Sequence, residues 1–379
     1  MELVKKRIKV AITTIYAPEC PTIQSRLYPF CRLLAEKGFD FTFFVLGKND
    51  RIVCHGITYK AYRNYLDLIK KTIAINKNDF DIIIACKPYS ITGLLSYLIS
   101  KIKKLGYLLD IDDRTFPSEI IKWRRLPLYL QEWLVERFMI LLKPHTSVAS
   151  KALAECWGKH TLYIPNSADI GFFSRKKWAS NTIKNKFGID GRVVIWPAVF
   201  FQEIDRYYPI EIFDKISKKR NDIFLLVLGS GEYLPDIQNS VKSCGIENII
   251  FGGQITHSEM PDYYASAHAG LLPLRNNHYD ACKGPIKLYE YMAMELPVIA
   301  TPIGEAKDIL EKAECGIIIP FNNADKAANI ILNMLESDSE IRRLGANGRA
   351  YLERYQSLEM QAEKLGNILN SISKRVKGA

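Results

Sequence analysis

Lys283, Lys287 and Glu290 stand at i, i+4 and i+7, the spacing that puts three side chains on one face of a helix. Gly284 followed by Pro285 is a helix opening, with proline at the first helical position. The free N–H groups of such a first turn, around Gly284, Pro285 and Ile286, form an anion site with the positive end of the helix dipole. Two cations at that mouth suit a diphosphate. A carboxylate one turn deeper suits a diol, because an ionised carboxylate accepts two hydrogen bonds at once. A nucleoside diphosphate offers both groups at about that separation. The same spacing also fits a solvated Lys287–Glu290 ion pair worth a few tenths of a kcal/mol.

Strands and helices must hold this stretch in place. Short apolar runs at 8–14, 41–46, 81–85, 107–111 and 146–149 predict strands covered on both faces, as in a parallel sheet. A helical pattern over 23–37, closed by Gly38, makes the first of them a βαβ unit. The second half repeats the pattern, with strands at 193–198, 224–228, 249–251, 269–272, 298–301 and 316–319. Helices are expected at 210–219, 257–267, 286–294 and 325–335, and a last one over 355–371. The polar, turn-rich segment 165–185 reads as the linker.

A chain of 379 residues, 48% hydrophobic and 25% charged, has the length of two domains and the composition of a globular protein. No apolar run reaches the roughly 18–20 residues of a spanning helix, and no signal-peptide core opens the sequence, so a cytoplasmic protein is expected. The eight cysteines show no C-x-x-C pair and the six histidines no H-E-x-x-H spacing. Reduced thiols and no metal are therefore expected. The net charge of +11 suits an anionic membrane surface or a phosphorylated ligand; no nucleic-acid motif accompanies it. The run 122–142 mixes basic residues, tryptophans and a broad apolar face. Its basic start, 122–125, reads as a bilayer contact or a plain basic loop; 133–142 reads as core-facing helix.

Pro285–Ala300 resembles the donor-site segment of retaining glycosyltransferases of the family 4 type, the glycosyl transferases group 1. Further pieces of that family's pattern follow in order: Ile164-Pro-Asn-Ser-Ala-Asp169 with Phe173, the glycine turn Val227–Glu232, the segment 251–269, Gly304-Glu-Ala, and Cys315-Gly-Ile-Ile-Ile-Pro320. The resemblance implies an α/β protein of GT-B fold, two Rossmann-like doubly wound domains facing a central cleft. Residues 1–170 would form the acceptor domain and 171–355 the donor domain, with the 356–379 helix crossing back to the first. It implies transfer of a sugar from a nucleotide diphosphate sugar, the co-substrate, to a hydroxyl acceptor, with no cofactor and no metal. Glu290 matches the glutamate that holds the donor ribose. Lys287, Lys283, Arg206 and the N–H groups at Gly284, Pro285 and Ile286 would face the diphosphate, with Gly229, Gly231 and Gln254 bordering the nucleotide. Cys282 stands where the family's first glutamate belongs, and Asp280 or Lys283 would replace it. Val199 falls in the run where the family carries a basic pair.

On the acceptor side, Leu108–Thr115 ends a strand in three aspartates and an arginine. By the resemblance, Asp112 and Asp113 would orient the acceptor hydroxyl and, with Lys287, act in catalysis. They would otherwise pair with Arg114, or cap the next turn. Ala17, Pro18, Gln24 and Arg114 would border the acceptor, a glycan, lipid-linked or polysaccharide precursor. A peripheral contact with the inner membrane face would run through 122–125. The rival readings are a nucleotide-sugar epimerase or hydrolase of the same fold, and a non-catalytic partner subunit.

Overall fold

The computed structural model describes residues 6–114, 126–200 and 207–378. The chain divides into two compact units. The first comprises Met1–Asn166, Cys282–Gly284 and Leu358–Ala379, the second Ser167–Ala281 and Pro285–Ser357.

The first unit is built on an eight-stranded sheet of β1 (Ile8–Thr13), β2 (Phe39–Leu46), β3 (Arg51–Cys54), β4 (Ile57–Tyr62), β5 (Ile82–Cys86), β6 (Gly106–Ile111), β7 (Thr146–Val148) and β8 (Thr161–Tyr163). Their order is β3-β4-β2-β1-β5-β6-β7-β8, parallel except for β3 against β4. The inner strands β5 and β6 are buried at every residue, which is why they read as unbroken apolar runs. Of the strands the sequence reading did not anticipate, β3 and β8 are the two edges and β4 lies next to β3. There β4 mixes buried Ile57, Tyr59 and Ala61 with exposed Lys60, so no apolar run marks it. The sheet runs outward in both directions from β1 and β5, so their carboxyl ends, Thr13 and Cys86, flank a topological switch point, where open sheets bind ligands.

The second unit holds a parallel six-stranded sheet of β9 (Arg192–Val199), β10 (Ile223–Ser230), β11 (Ile249–Gly253), β12 (Ala269–Leu272), β13 (Val298–Ala300) and β14 (Gly316–Ile318). The order is β11-β10-β9-β12-β13-β14, with its switch point between β9 and β12. Helices beyond those anticipated span Leu234–Ser243, Gly304–Ala313 and Asp338–Tyr355.

The last helix, Leu358–Lys377, belongs to the first unit. Leu358, Ala362, Leu365, Leu369 and Ile372 join the core formed by β1, β2 and the helix Tyr28–Ala35. Its fit is close: a Cβ on Gly106 would lie 2.4 Å from Ile372, and one on Gly366 would lie 2.7 Å from Leu34.

One expectation holds only in part. The second half of the helix Leu126–Leu142 packs Val135, Met139, Ile140 and Leu142 on the core but leaves its other apolar residues outside. Trp133, Leu134, Phe138 and Leu141 are exposed, while Met139, Glu132 and Glu136 point inward. The reason is polar: Glu132 accepts hydrogen bonds from the Ser90 backbone N–H, at 2.6 Å, and the Ser90 hydroxyl, at 2.5 Å. Those bonds meet the condition for burying a carboxylate. Among the described residues no helix is long and apolar enough to cross a membrane.

Candidate active site

In the second unit, Glu290 sits on the helix Ile286–Ala293, packed into the core and only 5% exposed. Pro285 is the residue that caps this helix, one position earlier than its expected place as the first helical residue. The Glu290 carboxylate accepts the Tyr264 hydroxyl at 2.7 Å, and its other oxygen lies 3.4 Å from His257 Nε2. Burial alone would raise the carboxyl's pKa. The hydrogen bond and charge of His257, the charge of Lys287 and the Tyr264 bond outweigh it, so Glu290 titrates below its ordinary value. A carboxylate offers about four lone-pair sites. Tyr264 and His257 engage one each, which leaves capacity for a diol.

His257 and Tyr264 were not singled out in the sequence, although both lie in the segment 251–269 that carried the resemblance. The interdomain motif explains how they are held. Asp169 Oδ1 accepts the N–H groups of Gly171 at 2.9 Å and Phe172 at 3.1 Å, forming an Asx turn. That turn presents Phe172 and Phe173 to His257, one stacked at 6.0 Å between centroids and the other edge-on at 5.5 Å. Phe173 also touches Tyr264. The chain Asp169–Phe173–His257–Glu290 is a rigid support for one carboxylate.

The glycine turn has a packing reason of its own. A Cβ on Gly229 (φ +136°) would lie 1.8 Å from the Ala198 carbonyl oxygen, and one on Gly231 (φ +157°) 2.3 Å from that of Phe200. The ends of β9 and β10 meet too closely for a side chain. Gly229→Ala is expected to destabilise the second unit by well over the about 1 kcal/mol of an ordinary glycine substitution. Thermal unfolding checks this; an unchanged midpoint would contradict the backbone clash. Beside the turn, the Ser230 hydroxyl donates to Gln254 Oε1 at 3.4 Å. Val199 ends β9 more than half exposed, and Arg206 lies outside the described residues, as do 122–125.

Asp280, which stands close before Cys282, is held by the protein itself. It is buried and ion-paired with Arg275, whose Nε lies 3.0 Å away, and it also accepts the Arg275 N–H at 2.8 Å. That pairing ties down the loop ahead of the helix. Lys283 and Gly284 group with the first unit, where their segment is pinned at both ends. The Ser150 hydroxyl donates to the Cys282 carbonyl at 2.6 Å, and Asn166 Nδ2 donates to the Gly284 carbonyl at 2.5 Å. A Cβ on Gly284 would lie 2.9 Å from the Ala149 carbonyl oxygen. Cys282 is fully buried, its Sγ 3.9 Å from that of Cys156.

The first unit gathers a second polar cluster at its switch point. Asp112 and Asp113, just past β6, both pair with Lys87, just past β5, rather than with Arg114. Lys87 Nζ is 3.1 Å from Asp112, which also accepts the Thr22 hydroxyl at 2.7 Å. Lys87 is buried and holds a left-handed backbone (φ +64°), which places its side chain between the aspartates. Burial would raise the Asp112 carboxyl, but the Lys87 charge, the Thr22 bond and Arg26 hold it below its ordinary value of 3.8. A carboxylate so stabilised is a poor proton acceptor at neutral pH and a good orienting group. Behind it, Arg26 is fully buried. It makes a bidentate pair with Asp110, at 2.9 and 2.8 Å, and donates to Asn166 Oδ1 at 2.8 Å. Of the residues expected at the acceptor loop, Ala17 accepts the Cys20 N–H at 3.1 Å and Gln24 donates its N–H to the Cys20 carbonyl at 2.9 Å. The loop is thus a tight turn carrying Pro18 partly exposed.

Asp112→Asn tests this electrostatics. The folded pKa is depressed, so the carboxylate's contribution is present above the unfolded value and lost as pH falls through the folded one. The variant is expected to be about 1–3 kcal/mol less stable than wild type near neutral pH. The gap should close in urea titrations as pH falls through that depressed value. A gap that stays constant with pH would contradict it.

Comparison with known proteins bears on the second unit directly. Residues 181–351 match the family model described as Glycosyl transferases group 1. That match lies within the second unit but for Cys282–Gly284. Part of the chain is similar to the GDP-mannose-dependent monoacylated alpha-(1-6)-phosphatidylinositol monomannoside mannosyltransferase of Corynebacterium glutamicum. The two are 28% identical over 164 residues, 43% of this chain and 42% of that protein. The alignment thus spans less than half of that relative's length. Among solved structures, sucrose-phosphate synthase from Thermosynechococcus elongatus superposes with a TM-score of 0.75 at 18% identity, covering 97% of this chain and 99% of the other. HepE of Anabaena, determined with UDP-glucose, gives 0.74 at 14% identity, covering 96% and 100%. The two α/β units have the GT-B fold.

Proposed function

We propose that the protein is a glycosyltransferase that moves a sugar from a nucleotide diphosphate sugar to a hydroxyl acceptor, with retention at the anomeric carbon and without a metal ion. The observation that carries this reading is the buried, ionised Glu290, held by Tyr264 and His257 at the inner end of a helix whose mouth carries Lys287. A ribose diol binds two remaining lone pairs of that carboxylate. Lys287 and the uncapped N–H groups of the helix's first turn face the diphosphate and stabilise its departure. Lys283 and Arg206 are the further cations of this reading. Asp112 and Asp113, neutralised by Lys87, orient the acceptor. The acceptor class is a lipid-linked or polysaccharide precursor at the inner face of a membrane, supported by the phosphatidylinositol monomannoside in the relative's name.

A panel of UDP, GDP, ADP and CMP sugars in a thermal-shift assay tests the donor half. A ligand at about 100 times its dissociation constant stabilises by roughly 2.7 kcal/mol. One nucleotide is expected to shift the protein, with turnover then read as nucleotide diphosphate release on adding acceptor. Cys282, buried against Cys156, offers no carboxylate at its position. Absence of any shift would leave the non-catalytic partner subunit as the reading.

A further inference from the structure

The helix Leu126–Leu142 packs Val135, Met139, Ile140 and Leu142 on the core and still carries a second apolar face outward. Leu130, Trp133, Leu134, Phe138 and Leu141 face outward at 45–77% exposure, forming a continuous stripe at i, i+4 spacing. Its two acids, Glu132 and Glu136, are turned inward and buried. The outward charges over 127–143 are Arg137 and Lys143, both positive. Arg137 lies over the Trp133 ring at 5.5 Å, so its stem covers apolar surface while its charge stays at the water side.

At the helix's carboxyl end Leu142 and Lys143, next in the chain after Leu141 of the stripe, border an open cavity of about 250 Å³. Lys101, Lys143, His145 and Arg375 line it, and among the described residues no carboxylate does. Burial and the charges of Arg375 and Lys101 hold the His145 pKa below its ordinary value, as an electropositive pocket requires. An apolar stripe with tryptophan and arginine, ending in a basic cavity, matches a bilayer in layers. The stripe meets acyl chains and the cavity meets phosphate.

We infer that this face is a docking surface for an anionic lipid bilayer, with the stripe of Leu126–Leu142 at the acyl boundary and the Lys101–Lys143–Arg375 cavity taking a headgroup phosphate. A second copy of the chain fits less well. A two-fold contact would set Arg137 and Lys143 against their own kind with no outward acid on the helix to answer them. The inference deepens the proposed function by naming the surface that brings a lipid-linked acceptor within reach, and rests on that reading for the acceptor alone.

Co-sedimentation with vesicles tests it, using phosphatidylcholine alone and phosphatidylcholine with about 30% phosphatidylglycerol. The full chain is expected to bind the anionic vesicles at least about tenfold more tightly. The double variant Trp133→Ser/Phe138→Ser should lose most of that binding on both compositions. Lys101→Ala/Arg375→Ala should lose the preference for anionic lipid. All these side chains are exposed, so the unfolding midpoint should hold. Wild type that stays in the supernatant, or variants that bind as wild type does, would overturn the inference. So would a dimer in sedimentation velocity that Trp133→Ser/Phe138→Ser dissociates, since the stripe would then belong to a second copy. Nucleotide-sugar stabilisation on the same samples reports the donor site separately. Loss of vesicle binding alone removes the docking surface, and loss of nucleotide binding alone removes the proposed function.

Discussion

Arg26→Met is expected to destabilise the first unit by about 3–5 kcal/mol, the cost of leaving one member of a buried ion pair alone. Arg26 is fully buried, and Asp110 beneath it is 4% exposed. The guanidinium makes two bonds to that carboxylate and one each to Asn166 Oδ1 and the Ile164 carbonyl. Methionine fills similar space and supplies none of these donors, so the Asp110 carboxyl group loses its buried cation and retains the Ser147 bond at 2.7 Å. The effect reaches further, because Asn166 also holds the Gly284 carbonyl just ahead of the Glu290 helix. The measurement is urea unfolding of the variant beside Arg26→Met/Asp110→Leu. The double variant buries no unpaired charge and should recover much of the loss. If it is as unstable as the single variant, packing and not the uncompensated carboxylate sets the cost.

Glu290→Gln is expected to weaken nucleotide-sugar binding by about a hundredfold or more. A hydrogen bond to a charged group contributes about 1.5–3 kcal/mol, and a diol makes two of them to one carboxylate. Glutamine still accepts from Tyr264, so the fold should persist, which Glu290→Ala would not guarantee. The loss should appear in the donor KM and in the nucleotide dissociation constant, both measurable by titration. Since the Glu290 carboxyl titrates below its ordinary value, wild-type binding should hold across the neutral range. It should fade only as pH falls through that depressed value. A variant that binds the nucleotide within about twofold of wild type would remove Glu290 from the donor site.

How much of this was legible in the sequence depends on how local each signal is. β5, Ile82–Cys86, is buried at every position and declares itself by composition. β3 and β4 do not, since an edge hairpin shares polar and apolar residues between its faces. Glu290 and Lys287 could be placed together because a helix repeats over a few residues. Lys87 and Arg26 could not, because their partners at Asp112 and Asp110 lie 25 and 84 residues away and are brought close by the sheet order β1-β5-β6. The helix Leu126–Leu142 shows the limit from the other side. Its apolar stripe was visible, but periodicity alone does not say which face is inside. The cue present was the pair Glu132 and Glu136 on one face, and the burial of Glu132 depends on Ser90, a residue 42 positions distant.

The split composition of the first unit governs its timing during synthesis. Residues up to Asn166 leave the ribosome first, yet their core lacks Leu358, Ala362, Leu365, Leu369 and Ile372 until the whole second unit has been made. At roughly 5–20 residues per second, the intervening stretch of about two hundred residues takes about 10–40 s. Over that interval the surface of β1, β2 and the helix Tyr28–Ala35 stays uncovered and open to chaperones or to another nascent chain. The second unit, continuous apart from three residues, can close before the first is complete, so it matures ahead of the first although it is translated later.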